Sequence, residues 1–414
     1  MRCHPQRAVL LPILALLCPL FCLAGAADND GFIYGQVVMK SGSEYKGFLR
    51  WGTEEAFWDD IFHSLKEDLP YDEYFERHGK RRSSRSKGRW QFKVFDISWE
   101  SDDIANRIYM SRFGDIEKIR VIGSEDAEIL MKTGQEYEVS GYANDVGGTI
   151  YVRDPSLGDI DLRWNRIKYI EFMPAPANED PGDYRLHGTV ETDSGEFEGF
   201  IQWDKQECLG SDILDGESVD GDLKLKFSSI RSIKRRGRRG SEVELKDGRS
   251  FNLRGTNDVN NENRGIMVED ERYGRLTIAW SEFDQVTFSD PQGSGRSYDS
   301  FKPVGELIAT VTESSGDTHH GRIIFDLDES ENWEMLNGSF HDIAFDIPFS
   351  MIKSIEPLRY DECKVTLHNG EELRLEDSQD VSERNDGILV IADEDDDDPI
   401  YIEWDDVELI EFSK

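Results

Sequence analysis

A seven-residue pattern occurs six times along this chain: an aromatic residue, two free positions, an apolar residue, two free positions and a second apolar residue. The six copies begin at Phe113, Trp164, Phe227, Trp280, Phe349 and Trp404. Repetition constrains the fold strongly, because each unit of a repeat protein buries its apolar face against a neighbour. We therefore expect many copies of one small structural unit.

The residues before each copy alternate between apolar and polar. Ile160, Leu162 and Trp164 fall on one side, and the intervening Asp161 and Arg163 fall on the other. This period of two predicts a strand with one buried face. The apolar residue three positions after the aromatic one fits a single 3₁₀ turn, in which positions i and i+3 stack. Each copy therefore predicts a strand, a 3₁₀ turn and another strand.

Two classes of hairpin turn alternate upstream of the pattern. The turn glycines are Gly42, Gly195 and Gly316 in the first class, and Gly134, Gly248 and Gly370 in the second. Glycine supplies the positive φ angles of a tight hairpin. In the first class a second glycine follows, at Gly47, Gly199 and Gly321. Because the classes alternate, the sequence predicts a pair of modules that is repeated three times.

The modules follow the strand and turn order of a small β-barrel. Residues 243–248, 265–268 and 276–286, with their counterparts in the other repeats, carry this order. In this order of strands and turns, the modules resemble the SH3-like and Sm-like small barrels. The resemblance implies an all-β fold of three tandem pairs of five-stranded SH3-like barrels, six modules in all. Sm-like proteins bind RNA and form rings, and neither property is carried over to this chain.

Composition shifts predict the domain boundaries. Segments rich in Pro and Gly begin at Pro174 and Asp290, which separates the pairs near residues 175–183 and 290–303. The predicted units are a signal peptide, three repeat pairs and one insertion in the first pair. Their bounds are residues 1–26, 31–173, 184–289 and 304–412, with the insertion at 65–107. The insertion is interpreted either as a special surface or as a spacer.

The first residues predict export. Arg2 and Arg7 precede an apolar run that ends in Ala24-Gly25-Ala26, a pattern typical of a secretory signal peptide cleaved after Ala26. An uncleaved anchor is the alternative. After cleavage we expect no transmembrane span and a periplasmic or extracellular location. Cys208 and Cys363 then remain, and two free buried thiols are favoured over a disulfide.

The net charge limits the partners. The chain carries −37, and loss of the two signal-peptide arginines gives −37 − 2 = −39. Such a charge repels nucleic acids and anionic membrane surfaces at long range. We therefore expect no nucleic-acid partner.

No residue pattern predicts catalysis. The metalloprotease pattern HExxH and the nucleophile elbow GxSxG are both missing from the sequence. His319-His320 is interpreted as an ordinary exposed turn. The acidic run at residues 393–398 lacks the spacing of a calcium loop and is interpreted as solvated, with weak cation binding left open. The sequence thus predicts no catalytic residue, no cofactor, no metal ligand and no enzymatic activity.

Basic and aromatic residues supply the candidate binding surface. Its members stand out because the chain is otherwise so acidic, and they are Arg81, Arg82, Arg85, Trp90, Arg235, Arg236, Arg238 and Arg239. They could hold a polyanion such as an envelope glycan, although pairing with this protein's own acidic surface, within one chain or between copies of it, is favoured. The repeated aromatic residues are assigned to the core. Trp58, Trp90, Trp99 and Trp333 stay available for stacking on a sugar.

These observations favour a binding function over a catalytic one. We expect an exported, non-catalytic interaction or scaffold protein that holds a protein partner along its repeats. The alternative is an envelope or extracellular module that binds polysaccharide or cations. The oligomeric state is left open.

Overall fold

The computed structural model describes residues 29–70, 108–141, 145–359, 361–392 and 399–413 of the 414-residue chain. Within these ranges the fold is all-β, and antiparallel ladders build one sheet of ten strands and another of twenty. No ladder in the described ranges closes on itself into a barrel. The predicted all-β class is therefore confirmed.

Thirty strands follow one another along the described residues. The first ten are β1 (Tyr34–Met39), β2 (Glu44–Trp51), β3 (Ile61–Lys66), β4 (Ile108–Arg112), β5 (Ile116–Val121), β6 (Asp126–Met131), β7 (Glu136–Ser140), β8 (Thr149–Asp154), β9 (Gly158–Arg163) and β10 (Ile167–Phe172). The next ten are β11 (His187–Thr192), β12 (Gly195–Gln202), β13 (Ile213–Ser218), β14 (Gly221–Lys226), β15 (Ile230–Arg235), β16 (Gly240–Leu245), β17 (Ser250–Arg254), β18 (Ile266–Asp270), β19 (Gly274–Ile278) and β20 (Phe283–Phe288). The last ten are β21 (Ile308–Glu313), β22 (Thr318–Ile324), β23 (Met335–Phe340), β24 (Ile343–Pro348), β25 (Ile352–Arg359), β26 (Glu362–Leu367), β27 (Glu372–Glu376), β28 (Ile388–Ile391), β29 (Ile400–Ile402) and β30 (Val407–Phe412). We call these three sets the first, second and third repeat pairs.

Each repeat pair is built by strand exchange. In the first pair, β1 and β2 hydrogen-bond to β10 and β8, which gives the strand order β10-β1-β2-β8-β9. The middle strands form a second group, β5-β6-β7-β3-β4, and β5 pairs with β10 to join the groups. Strands from both ends of the pair therefore complete one half. The sequence pattern instead suggests two modules of consecutive strands lying side by side.

The second and third pairs repeat this exchange. Their outer groups have the orders β20-β11-β12-β18-β19 and β30-β21-β22-β28-β29. Strand β19 also pairs with β24, with Leu276 opposite Phe345, so one ladder runs from the second pair into the third.

The seven-residue pattern behaves largely as predicted. All six aromatic residues are 8% exposed or less, so the predicted strand phase is confirmed. Five of them open 3₁₀ turns, at Phe113–Asp115, Trp164–Arg166, Phe227–Ser229, Phe349–Met351 and Trp404–Asp406. The sixth, at Trp280, forms a hydrogen-bonded turn in which the Phe283 amide donates to the Ala279 carbonyl at 3.1 Å. Two further 3₁₀ turns span Asn257–Val259 and Tyr298–Ser300.

The segment predicted to be a linker at 290–303 folds onto the first repeat pair. Tyr298 is 8% exposed, and its ring centroid lies 4.6 Å from that of Trp58. Nζ of Lys132 lies 3.3 Å from the Tyr298 ring centroid, within the range of a cation–π contact. The segment that connects the second and third pairs therefore packs against the first pair.

Buried ion pairs hold the first repeat pair against the other two. Arg275 of β19 donates to Oδ1 of Asp60 at 2.9 Å, and both side chains are at most 5% exposed. Lys66 of β3 donates to Asp328 and Glu334 of the third pair, at 2.9 and 2.6 Å. Because a buried charge without its partner is costly, these contacts fix how the pairs sit together.

Two smaller predictions concern the cysteines and membrane spans. Cys208 and Cys363 are both buried and free, which confirms the favoured prediction from the sequence. Among the described residues, no helix has the length and apolar character needed to cross a membrane.

Candidate metal centre

Three carboxylates converge inside the third repeat pair. Asp326, Glu329 and Asp380 each offer an oxygen, and these oxygens lie within 4.8 Å of one another. The three residues are only 2%, 8% and 6% exposed, respectively. A single cation could therefore contact all three side chains. We call this group the third-pair triad.

The chain builds one side of the triad with a tight turn after β22. Asp326 and Leu327 both have positive φ, 50° and 59°, as the two central residues of a type I′ turn require. The turn closes where the amides of Asp328 and Glu329 both donate to the Phe325 carbonyl at 3.0 Å. The turn therefore places Asp326 and Glu329 on the same side of the loop.

The third carboxylate comes from the segment before β28. Oδ2 of Asp380 accepts a hydrogen bond from the Asn337 amide at 2.6 Å. The Asp380 carbonyl accepts from the Asn385 side chain at 3.0 Å. Because β28 pairs with β22, these bonds bring Asp380 up to the turn. Strand exchange is therefore what assembles the triad.

One oxygen of the triad, Oε2 of Glu329, is fully buried and has no hydrogen-bond partner among the described residues. Burial raises the pKa of Glu329 and of Asp326 well above their usual values, and the neighbouring negative charges add to the effect. Burial likewise raises the pKa of Asp380 to about 7. A buried carboxylate of this kind is costly unless a proton or a cation neutralises it.

The second repeat pair contains the equivalent cluster. Asp204, Glu207 and Asp258 also offer oxygens within 4.8 Å of one another. Asp258 accepts from the Asp215 amide at 2.6 Å, as Asp380 does from Asn337. Oε2 of Glu207 is again buried and lacks a hydrogen-bond partner within the described part of the chain. Burial raises the pKa of Glu207 to about 9 and that of Asp258 to about 6.

The two clusters differ in how their charge is compensated. In the second pair, the Arg264 guanidinium lies 3.1 Å from Asp204, and its Nη2 also donates to Gln206 at 2.8 Å. The residue in the place of Arg264 in the third pair is Asp386, because each donates its backbone amide to the first aspartate of its cluster. The place of Gln206 is taken by Asp328. Negative charge therefore replaces an arginine beside the third-pair triad.

The charge of Lys66 acts on Glu329, but this ammonium group is paired with other acids. Lys66 donates to the carbonyl and Oδ1 of Asp328 and to Glu334, and burial among these acids leaves its ammonium 3% exposed. Its charge lowers the repulsion felt by Glu329 but does not remove it, since the net effect on Glu329 is still a raised pKa. The first repeat pair has Gly52 in the place of Asp326, so it retains only Glu55 and Asp145.

The residues predicted from the sequence lie away from the triad. Arg235 pairs with Asp284 at 3.1 Å, and Arg236 pairs with Glu242. Arg238 and Arg239 are exposed in the following turn. The other members of the predicted binding surface, Arg81, Arg82, Arg85 and Trp90, lie outside the described residues, as do the acidic run at 393–398 and Trp99.

Two aromatic candidates for sugar stacking are wrong. Trp58 and Trp333 are 0% and 3% exposed, because both pack in the core of the first repeat pair. The His319-His320 pair makes ordinary contacts: His319 Nε2 lies 2.7 Å from Glu313, and His320 Nδ1 lies 3.1 Å from the Thr310 hydroxyl.

The triad is not among the residues predicted from the sequence, although a signal for it exists. An aromatic residue is followed four positions later by glutamate in each pair, at Glu55, Glu207 and Glu329. An Asp-Val dipeptide also recurs, beginning at Asp145, Asp258 and Asp380. Repeated acids in an alternating apolar frame indicate a repeated internal site more than a solvated surface.

Comparisons with known proteins add nothing to this geometry. No protein-family model, no curated protein and no solved structure matches the chain. The functional conclusion therefore depends on the geometry of the two carboxylate clusters.

Proposed function

We propose that this chain is an exported, non-catalytic repeat protein whose third repeat pair binds a divalent cation of the calcium class. The cation would be coordinated by Asp326, Glu329 and Asp380 and would stabilise the junction with the first repeat pair. The observation that carries the proposal is the buried, unpartnered Oε2 of Glu329 in a cluster without the arginine of its counterpart.

The chemistry of the ligands favours calcium over softer metals. The triad supplies only carboxylate oxygens, which hard cations prefer, and no histidine or cysteine is part of it. Calcium takes six to eight oxygen ligands in flexible geometry, so three protein carboxylates suit it together with carbonyls or water. Magnesium demands stricter octahedral geometry and retains its water more firmly.

Burial argues against a hydrolytic role for the same carboxylates. A general acid must reach a proton on its substrate, within about 3 Å. The triad side chains are at most 8% exposed, so a substrate larger than an ion cannot reach them. Raised pKa values here follow from burial and mutual repulsion, which a structural cation would relieve.

The architecture that carries the site is proposed to consist of SH3-like halves. The order β10-β1-β2-β8-β9, with a 3₁₀ turn between β9 and β10, supports this interpretation. The three predicted domains and the cleavable signal at residues 1–26 are part of the same proposal. Export and cleavage after Ala26 would place the mature chain outside the cytoplasm.

The test is calcium titration of the mature protein after chelator treatment. Isothermal titration calorimetry and thermal unfolding would be measured for the wild type and for Glu329→Gln. We expect wild-type binding near one ion per chain and a higher midpoint of unfolding with calcium. Glu329→Gln should lose both effects, because it removes a negative ligand while keeping the shape of the side chain.

The matched control is Glu207→Gln in the second repeat pair, where Arg264 already pairs with Asp204. This variant should bind calcium as the wild type does. Equal unfolding midpoints with calcium and with chelator in the wild type would refute the proposal. Loss of binding in the control alone would move the site to the second pair and contradict the assignment.

A further inference from the structure

Four strands have a ladder partner on one side only among the described residues: β4, β9, β14 and β29. Of these, β9 pairs with β8, and β14 pairs with β13. Both edges face solvent: the side chains of Asp159 and Lys224 are 72% and 77% exposed. An open edge presents unpaired backbone donors and acceptors and can therefore accept another strand.

One equivalent pair of edges is already joined elsewhere in this chain. Strand β19 of the second repeat pair corresponds to β9 of the first. Each is followed within two residues by the tryptophan of the seven-residue pattern, which is Trp280 after β19 and Trp164 after β9. Strand β24 corresponds to β14 in the same way, because Phe349 directly follows β24 and Phe227 directly follows β14. Strands β19 and β24 form an antiparallel ladder between the second and third pairs.

The register of that ladder transfers directly to the open edges. Arg275 lies opposite Asp346, and Leu276 lies opposite Phe345. The corresponding partners on the open edges are Asp159 with Lys224, and Ile160 with Leu223. The apolar pair is preserved, and the residues at the first position again carry opposite charges, with the two signs exchanged. Opposite charges directly across an antiparallel ladder are favourable.

The next positions in this register combine one unfavourable and two favourable charge contacts. Asp161 would lie opposite Asp222, which is unfavourable, where the formed ladder has Thr277 opposite Ala344. Lys224 is diagonal to Asp161, however, and Arg163 is diagonal to Asp222. Diagonal neighbours on one face of a sheet are within reach of long side chains. The charges around the like pair are therefore compensated.

Two exposed apolar residues flank the open edges. Leu157 is 66% exposed before β9, and Val219 is 93% exposed before β14. Their counterparts make contacts across the formed ladder. Tyr273, in the place of Leu157, has its ring centroid 6.3 Å from that of Phe345. His341, in the place of Val219, lies 3.1 Å from the Ser194 hydroxyl of the second pair.

We infer that β9 of one molecule pairs with β14 of a second copy of this chain, in the register of β19 and β24. The occupant is a second copy because both complementary edges belong to this sequence and both are solvent-exposed in one molecule. Two such contacts, exchanged reciprocally, close a symmetric dimer. The inference is independent of the proposed cation site, since no triad residue lies on either edge.

The experiment exchanges the charges of one ion pair. Asp159→Lys and Lys224→Glu each place like charges opposite one another, and sedimentation velocity would measure self-association of each variant. The wild type should dimerise near 0.1 mM, a concentration that suits an interface smaller than about 1,200 Å². Each variant should dimerise about tenfold more weakly, because attraction becomes repulsion at both contacts.

Mixing the two variants gives the decisive result. Every contact between an Asp159→Lys molecule and a Lys224→Glu molecule pairs opposite charges, so the mixture should recover association that neither variant has alone. Circular dichroism would show that each variant is folded. A monomeric wild type at 0.1 mM would overturn the inference and make Lys224 a residue that protects the edge. A mixture that associates no better than either variant alone would also overturn it, since residues 159 and 224 would then not face each other between molecules.

Discussion

A Cβ atom on Gly199 would lie 2.0 Å from the carbonyl oxygen of Glu269. Gly199 is in β12 and Glu269 is in β18, the two strands that meet through strand exchange. The same relationship recurs between Gly47 and the Arg153 carbonyl at 1.9 Å. It recurs again between Gly321 and the Ile391 carbonyl at 2.1 Å. The second glycine of the first hairpin class is therefore required by this close approach of the exchanged strands.

Gly199→Ala should destabilise the protein by roughly 2 to 4 kcal/mol, because the new methyl group must push one strand away from the other. Chemical denaturation followed by tryptophan fluorescence would measure the loss. Gly305→Ala is the matched control, since a Cβ at Gly305 meets no atom within 4 Å. The control should change the free energy of unfolding by less than about 0.5 kcal/mol. Equal effects of the two substitutions would contradict a close approach of β12 and β18.

Local rules predict much of the fold. The position of Trp164 after alternating apolar residues is enough to place a strand and a turn, because both signals lie within a few residues of one another. The turn glycine Gly248, with φ of 89°, likewise follows from a dipeptide that favours a tight hairpin. These features need no knowledge of distant contacts.

The same local rules do not predict strand exchange. Strand β2 pairs with β8, with Leu49 opposite Val152, across about a hundred residues of intervening chain. Hairpin signals say which neighbours turn back on one another, but an open edge can accept any strand of matching register. The triad was missed for this reason, since Asp380 reaches Glu329 only once β28 has paired with β22. The packing of Tyr298 on the first repeat pair was not predicted, because the Gly and Pro residues around it are typical of a linker.

Stability should depend on the protonation of Asp115 in the first repeat pair. Burial raises the pKa of this carboxyl to about 6, despite the nearby charges of Arg112, Arg296 and Lys132. The folded protein therefore binds this proton more tightly than the unfolded chain, whose aspartates titrate near 3.9. The stabilisation is present below about pH 4 and is lost as the pH rises to about 6.

Asp115→Asn removes this titration, so its midpoint of thermal unfolding should improve relative to the wild type as the pH rises from 4 to 7. Asp154→Asn is the control with the opposite sign. The backbone amides of Ser156 and Leu157 lower the pKa of Asp154, so its stabilisation is present above about pH 4 and is lost in acid. Parallel pH profiles for Asp115→Asn and the wild type would show that the carboxyl is not buried in the folded protein.

Asp386 and Arg264 allow the charge compensation of the two carboxylate clusters to be exchanged. Asp386→Arg places a guanidinium beside Asp326, as Arg264 lies beside Asp204 at 3.1 Å. A fixed positive charge should take over the role of the ion, so calcium should no longer raise the midpoint of unfolding. The midpoint in chelator should rise instead, because the buried carboxylates are then compensated within the chain.

The reciprocal change, Arg264→Asp, should make the second repeat pair depend on a cation in the same way. It leaves Asp204, Glu207 and Asp258 without their guanidinium, and calcium should then bind at two places in one chain. Calorimetry would count the ions, and the double substitution should shift the single site from the third pair to the second. If Asp386→Arg keeps the calcium response of the wild type, the ion binds elsewhere, and the triad is held together by shared protons.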